Sequence, residues 1–563
     1  MENNTSKYIT ILVIFGMVAM FVFGGIYITR NLGKSQKTIS KEQAEKNLER
    51  MIKNISPKKG KPVKSSVEYS DDDTTADELP DIKNNKVGVK ATTDLYAEIF
   101  CSPEKAGTGT DGWMCDMAEK FNSKGFKVNG KKVSVQIRSV SSGLARDYIK
   151  TGKAVPDGFS PSSMFWISML NSEGIKTETI SKSMVKNVAG IVLKNDVYDK
   201  IIDKYGSVDM KSITEASESG EIHMGYTNPF TSTAGLNFLA CTLKRYDSNS
   251  PLSDKAIEGF KKFQDNVPFV ALTTVQMRNA ADNGSLEGFI SEYQTFINDS
   301  VLERGYKFTP YGYRHDNPLV ALSSTKNEKK EILKKFAEFC SSEEGTQLAK
   351  KDGFNQMNDY KCEYSELDGN MLISMQNLYK KNKDNGNPVA CVFIADVSGS
   401  MRGDRLISLK ESLINSMKYV NTDNYIGLVS YNDDVTIELP MAKFNLDQQA
   451  LFKGSVEKLS AGGDTATFDA ICVGLDMLRE QCEKTPDAKP MLFVLSDGET
   501  NQGYALNDVK DIISGMQIPI YTIGYDADLD ALKQISDINE AASINSTTDD
   551  IVYQLKQLFN AEM

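Results

Sequence analysis

The sequence predicts an α/β chain whose C-terminal part, residues 388–563, is a doubly wound parallel sheet. Two observations carry this. Residues 389–395 form an uninterrupted apolar run that ends in Asp396, and 491–495 form another that ends in Ser496-Asp497-Gly498. Short runs apolar on both faces suit strands in the middle of a parallel sheet covered by helices. Around them, strand-like stretches at 425–430 and 518–525 alternate with helix-like stretches at 406–420, 468–479 and 529–538. Such alternation implies helices laid on both faces of one sheet.

Asp396 then stands at the carboxyl end of the first strand, where open α/β sheets place their ligands. Ser398 and Ser400 leave the same edge on a loop that Gly399 lets turn. Hard oxygens converging there select Mg²⁺, Mn²⁺ or Ca²⁺ over zinc. Serines after a strand also serve as helix caps, so Asp-x-Ser-x-Ser alone does not decide. Two later segments do. Residues 462–470, Gly-Gly-Asp-Thr-Ala-Thr-Phe-Asp-Ala, bring Thr465 on a glycine-rich loop that opens a helix, and the second apolar strand delivers Asp497 ahead of Glu499.

In this order and spacing the set resembles the von Willebrand factor A domain with its metal-ion-dependent adhesion site. The resemblance covers about 389–559 and implies a Rossmann-like fold. It implies that Ser398, Ser400 and Thr465 ligate the ion directly and that Asp396 and Asp497 act largely through water. It also implies one coordination position left for a carboxylate of a protein partner. Thr467 is the alternative to Thr465, but Thr465 stands four residues before Asp469, as the family's threonine does.

At 563 residues the chain has room for two or three domains with full-sized cores. Its net charge of −11, without a basic stripe interleaved with aromatics, argues against nucleic acid as a partner. The two histidines, His223 and His315, lie far apart and outside the metal loops, which excludes a histidine zinc site or a Ser-His-Asp triad there. The eight cysteines contain no Cys-x-x-Cys. Cys391 and Cys472 read as core residues, whereas Cys101 with Cys115, or Cys340 with Cys362, could pair in an oxidising compartment.

Residues 8–29 carry no charge and are long enough, as a helix, to span a bilayer core. No Ala-x-Ala-like cleavage site and no lipoprotein cysteine follows, so residues 1–35 read as an uncleaved transmembrane signal anchor. Lys7 precedes the span, while Arg30, Lys34, Lys37 and Lys41 follow it, which by charge alone puts the bulk of the chain inside. The domain resemblances put it outside. Residues 36–86 read as a charged, helix-favouring stalk and then a disordered linker from Asn54, about 33 residues with an r.m.s. span of roughly 30 Å. The Asp71-Asp72-Asp73 run reads as solvated charge.

Residues 87–358 read as a second globular unit. A strand at 133–138 runs into a serine-glycine turn at 139–143 and a helix from Leu144. Ser160-Pro-Ser-Ser163 starts a similar turn, and the hydroxyl-rich 225–235 stretch leads into a helix at 236–244. Turns of this kind offer N–H groups and hydroxyls to anions. With the stretches at 284–293, 311–318 and 336–349, they resemble the extracellular solute-binding proteins of bacterial uptake systems, sulfate and molybdate binders among them. The resemblance implies a periplasmic-binding-protein-like fold of two α/β lobes around a cleft. It places a ligand at Ser141, Ser142, Ser163, Thr231, Ser232 and Thr233, although the same residues also fit helix N-caps. These loops show no clear basic residue, so the cleft fits a small solute or a surface turned to protein contact. Residues 359–387, with a helix at 370–379, read as a connector.

Together these features point to a membrane-anchored bacterial surface protein, single-pass, with the bulk of the chain extracellular. Its function would be divalent-metal-dependent protein binding, with a solute-binding-like module appended and no enzymatic chemistry, since the metal oxygens lack a nearby general base. Two alternatives stay open. One is a solute-capture component of a transport or sensing system; the other is a cytoplasmic metal-dependent scaffold, which the flanking charges favour.

Overall fold

The computed structural model describes residues 39–67, 79–222, 224–264, 269–271, 287–362, 364–383, 387–498, 500–525 and 543–545, with single positions at 267, 277, 535 and 555. The expected span at 8–29, the Asp71–Asp73 run, His223, Glu499 and the helix at 529–538 lie outside the described residues. Among the described residues, no helix is long and apolar enough to cross a membrane.

The C-terminal domain is a seven-stranded sheet with Val389–Asp396 at its centre. That strand pairs in parallel with Tyr425–Tyr431 on one side and Lys489–Ser496 on the other. Every residue of it is buried, because both faces are covered. Alternation then sorts its side chains: Cys391, Phe393 and Ala395 enter one core, and Ala390, Val392 and Ile394 the other. Ile520–Gly524 and Ser543–Asn545 extend the parallel side. Val435–Lys443 turns back antiparallel on Tyr425–Tyr431.

The stalk-and-linker reading of residues 36–86 is corrected over 39–67, which are built into this C-terminal domain. Lys41–Ile55 is a helix capped by Ser40, whose Oγ accepts from the Gln43 N–H at 3.3 Å. Its Ala44 and Leu48 are wholly buried against the helices Leu506–Met516 and Thr467–Lys484. Ala44, Leu48, Met51, Ile52 and Ile55 form the apolar stripe of a helical period inside a Lys/Glu-rich segment. The chain then rounds the sheet edge. Lys58 and Lys59 pair in parallel with Thr436 and Ile437, and the Gly60 N–H donates to the Ile437 carbonyl at 2.8 Å. On the opposite face it runs along the helix Leu446–Glu457, where the Ser65 N–H donates to the Ala450 carbonyl at 2.9 Å and Val67 joins the other core. The approach is so close that a Cβ at Gly454 would lie 2.0 Å from the Val63 carbonyl oxygen. Residues 39–67 thus clasp both faces of the domain and cover the edge of Val435–Lys443, which would otherwise expose unpaired backbone groups.

Residues 79–383 form two lobes. The first holds a six-stranded sheet ordered Val87–Val89, Ser134–Ser139, Tyr96–Cys101, Gly158–Ser160, Leu319–Leu322, Thr177–Ser181. The second holds a five-stranded sheet ordered Phe269–Ala271, Met224–Thr227, Gly288–Glu292, Asn187–Lys194, Tyr306–His315. The chain passes from the first lobe to the second between Ser181 and Asn187 and returns between His315 and Leu319.

The connector reading is corrected too. Gly369–Asn382 is a helix that packs on Met164–Ser172 of the first lobe and on Thr233–Tyr246 and Asp254–Gln264 of the second. Its Leu372, Met375 and Tyr379 share one core with Phe100, Trp166 and Phe238. Gln376 Nε2 donates to the Pro229 carbonyl at 2.8 Å. This helix braces the lobes, because the apolar face of 369–382 is consumed by them rather than left to solvent. All eight cysteines are free, so neither Cys101–Cys115 nor Cys340–Cys362 is bridged.

Candidate functional sites at two sheet edges

The carboxyl edge of the C-terminal sheet gathers the expected metal residues. Asp396 ends the central strand with no exposed surface. Its Oδ1 accepts from the Ser398 N–H at 2.8 Å; its Oδ2 accepts from the Ser496 hydroxyl at 2.6 Å and the Tyr431 hydroxyl at 3.2 Å. Burial raises the Asp396 carboxyl, and the neighbouring Asp497 charge adds to this against the hydrogen bonds. Burial, followed by the Asp396 charge, likewise drives the Tyr431 phenol well up. The hydroxyls of Ser398 and Ser400 lie 3.0 Å apart, Ser398 buried and Ser400 exposed.

The glycine-rich loop is stitched to this edge by backbone. The Gly399 N–H donates to the Gly463 carbonyl at 2.9 Å, and the Gly462 N–H to the Val397 carbonyl at 2.8 Å. Thr465 is buried on that loop, its N–H donating to Asn501 Oδ1 at 2.8 Å. Thr467 opens the next helix and its hydroxyl is engaged, accepting from Thr500 at 2.9 Å and donating to Tyr431 at 3.4 Å.

Asp497 follows the second apolar strand. Arg405 Nη1 donates to its Oδ2 at 3.1 Å and to the Ser400 carbonyl at 3.2 Å. Its Oδ1 is buried and has no hydrogen-bond partner among the described residues. A buried carboxylate oxygen without a donor is costly, and a cation would relieve that cost. Among the described residues no cluster of three or more His, Cys, Asp or Glu side chains is arranged to hold a metal. This set has two carboxylates, so hydroxyls would supply the remaining oxygens. The residues present fit a hard divalent ion on those terms.

The second edge lies where the two lobes face each other. Ser141 precedes the helix Ser142–Thr151, and Ser142 Oγ accepts from the Ser162 N–H at 3.3 Å. Ser163 caps its own helix through the Phe165 N–H at 3.3 Å. On the second lobe, Ser232 Oγ accepts from the Thr227 hydroxyl at 2.8 Å and the Gly235 N–H at 3.4 Å. Across the lobes, Trp166 Nε1 donates to the Thr233 hydroxyl at 2.7 Å and the Gly143 N–H to the Thr231 carbonyl at 3.4 Å. A Cβ at Gly143 would sit 2.0 Å from the Phe230 carbonyl oxygen, so glycine is what lets the lobes meet there.

Sequence reasoning missed the charges at this edge. Lys105 is wholly buried, donating to the Ser160 carbonyl at 2.9 Å and to the Ser102 hydroxyl. Glu104 accepts from the hydroxyls of Ser102 at 2.5 Å and Ser162 at 2.6 Å. Burial alone would raise the Glu104 carboxyl, but Lys105 and the two hydroxyls outweigh it and hold it below its ordinary value. The available signal was Ser102-Pro103-Glu104-Lys105 directly after the strand Tyr96–Cys101, the same strand-then-turn design that flagged Ser141. Also missed were Tyr431, Ser496 and Arg405. Ser496 was visible as the last residue of the second apolar strand.

Comparison with known proteins agrees with this division. Residues 391–561 match the family model of the von Willebrand factor type A domain, and 106–355 that of the bacterial extracellular solute-binding protein. The chain carries both domains. Inter-alpha-trypsin inhibitor heavy chain H3 of Bos taurus is 28% identical over 150 residues, 24% of this chain and 16% of that protein. The chain thus spans about a sixth of the length of that relative. Among solved structures, a von Willebrand factor type A protein from Catenulispora acidiphila is 18% identical, covering 31% of this chain and 42% of its own at a TM-score of 0.28. Iron-bound HitA from Pseudomonas aeruginosa is 15% identical, covering 52% and 99% at a TM-score of 0.37. The von Willebrand factor A domain is completed here by residues 39–67, which lie outside its matched stretch, and the solute-binding domain by the bracing helix Gly369–Asn382.

Proposed function

We propose that the chain is a membrane-anchored surface protein that binds a protein partner through a divalent cation on its von Willebrand factor A domain. The observation that carries this reading is the buried, partnerless Oδ1 of Asp497 beside the paired hydroxyls of Ser398 and Ser400. Ser398, Ser400 and Thr465 would hold Mg²⁺, or Mn²⁺ or Ca²⁺, directly, with Asp396 and Asp497 balancing its charge. A cation bound there would supply Lewis-acid coordination for one carboxylate of the partner. Asp396 holds the Ser398 N–H, and so the loop, in place. The backbone ties of Gly462 and Gly463 hold the loop that carries Thr465 against it. The reading is of a binding protein and not an enzyme.

The apolar run at 8–29 and the extracellular family matched by 106–355 support a single-pass anchor with the bulk of the chain outside. The clasp changes the expected arrangement. Lys41 lines a cavity of about 420 Å³ with Pro490, Met516 and Ile518, at the amino ends of the strands and away from Asp396. An anchor preceding residue 39 would therefore leave the metal edge facing away from the bilayer, with the solute-binding module projecting from this domain. The match over 106–355 favours a second reading, capture of a small solute. Against it, the hydroxyl oxygens of Ser142, Ser163, Ser232 and Thr233 already accept hydrogen bonds within the protein.

Thermal unfolding of the chain in millimolar Mg²⁺ or Mn²⁺ against EDTA tests the metal reading. Binding to the folded state should add about 2.7 kcal/mol at a hundred times Kd. Asp396→Ala and Ser398→Ala should each remove the gain. A wild-type melting temperature indifferent to both ions would sink it.

A further inference from the structure

Resting on the metal reading above, we propose that Arg405 is a tethered counter-cation that competes with the divalent ion for Asp497. One guanidinium nitrogen, Nη1, lies 3.1 Å from Asp497 Oδ2 and 3.2 Å from the Ser400 carbonyl, so it joins two of the five candidate metal residues. Asp497 is 3% exposed and Arg405 35% exposed. The carboxylate is fixed in the protein, and the cation reaches it from the rim on a long, partly solvated side chain.

The asymmetry matters. A carboxylate this deeply buried is costly without a neighbouring positive charge. Asp396 meets the same difficulty with three donors, from Ser398, Ser496 and Tyr431. Among the described residues Asp497 has no such shell: its Oδ1 has no hydrogen-bond partner and its Oδ2 has Arg405. Arg405 therefore supplies the positive charge while the site holds no metal. A divalent ion reaching the partnerless Oδ1 meets that guanidinium across one carboxylate group, and like charges so close in a partly buried setting repel. Either the guanidinium swings to solvent or the ion binds against it; both weaken the metal. The residue thus sets the cation concentration at which the edge becomes competent to bind.

The test is calorimetric titration of the full chain with Mn²⁺ in wild type, Arg405→Ala, Arg405→Gln and Arg405→Lys. Both neutral variants should bind Mn²⁺ about tenfold more tightly, while melting lower than wild type in EDTA. Arg405→Lys keeps the charge and should stay within about threefold of wild type. Arg405→Gln keeps a donor for the Ser400 carbonyl and carries the comparison if Arg405→Ala does not fold. Mn²⁺ binding by wild type with equal or weaker binding by the neutral variants overturns the counter-cation role alone. Absence of Mn²⁺ binding in wild type and neutral variants alike overturns the metal reading and this role with it.

Discussion

The two candidate sites of this molecule lie at sheet edges that are built from similar parts and finished differently. Each is the carboxyl end of parallel strands, carries serines and threonines on turns that open helices, and includes a buried carboxylate. At the metal edge, Asp497 Oδ1 is left without a donor and the Ser398–Ser400 pair stands at the rim. At the inter-lobe edge, Glu104 is met by Ser102, Ser162 and Lys105, and the lobes lend each other Trp166, Thr233, Gly143 and Thr231. Unsatisfied polar atoms are where a ligand gains most, since it supplies what the fold withholds. On the proposed reading recognition falls to the metal edge; the inter-lobe edge keeps an orphan of its own, Ser160 Oγ, and what sets it apart is bonding between the lobes.

The most direct way to break that contrast is to remove the brace. Tyr379 of the brace is wholly buried, with Phe260 and Phe230 of the second lobe 6.0 and 6.2 Å from its ring, centroid to centroid. Tyr379→Ala should cost about 4 kcal/mol by the usual penalty for deleting a core aromatic ring. If the joint is structural, small-angle scattering should show the lobes separating as well. Loss of stability without any change in lobe separation would mean that the edge contacts hold the lobes without the helix.

The clasp gives the next largest effect, at the other domain. Leu48 is wholly buried against the helices behind the sheet, and Leu48→Ala should cost about 3 kcal/mol. Two domains distinguish where the loss falls. The transition that Mn²⁺ shifts should drop, and the solute-binding transition should not. If the second transition drops instead, residues 39–67 belong energetically to the solute-binding domain and the clasp assignment is wrong.

How much of this was legible in the sequence follows from where each interaction lies along the chain. The residues of the candidate metal edge were easy to single out because Asp396, Ser398 and Ser400 stand at alternate positions of one short stretch and the two apolar runs announce central strands by themselves. Tyr431 and Ser496 were not, since each meets Asp396 only after strands distant in sequence are aligned, Asp396 opposite Tyr431 in register. The helix at 41–55 was legible as a helix, but its stripe from Ala44 to Ile55 is diluted by Lys and Glu, so it read as a stalk. Residues 56–67 carried no readable signal. They are held largely by backbone, as the Gly60 and Ser65 N–H groups show, and by lysines such as Lys64 to Asp447 at 2.8 Å. Composition cannot report that kind of tie. The brace was missed for a related reason: the Lys- and Asn-rich end of the helix resembled a hinge, while Leu372, Met375 and Tyr379 find their partners only when both lobes are present.

The smallest effect separates two orphan carboxylate oxygens. Asp352 Oδ2, like Asp497 Oδ1, is buried without a hydrogen-bond partner among the described residues. Its surroundings differ: the residue ends the helix Glu343–Lys351, and Asp116 and Asp111 are the acidic neighbours whose charges act on it. Burial first, and then repulsion from Asp116, push its carboxyl from 3.8 to about 6, with Lys351 opposing. A raised folded value means that the fold prefers the protonated form. That preference is fully present below about pH 4 and is lost as pH rises through about 6, so at neutral pH Asp352 carries an uncompensated charge. Asp352→Asn mimics the protonated form. It should stabilise the solute-binding domain by about 1 kcal/mol at pH 7, allowing for solvent screening, and leave it unchanged at pH 4. If Asp352 is no ligand, it should also give no Mn²⁺ response in that transition. Thermal unfolding of both chains at pH 4 and pH 7, with and without Mn²⁺, measures all of this. A gain at pH 4 equal to that at pH 7 would show that the asparagine acts through packing and not through charge. Mn²⁺ stabilisation of that transition, lost in Asp352→Asn, would make this second orphan oxygen a ligand too.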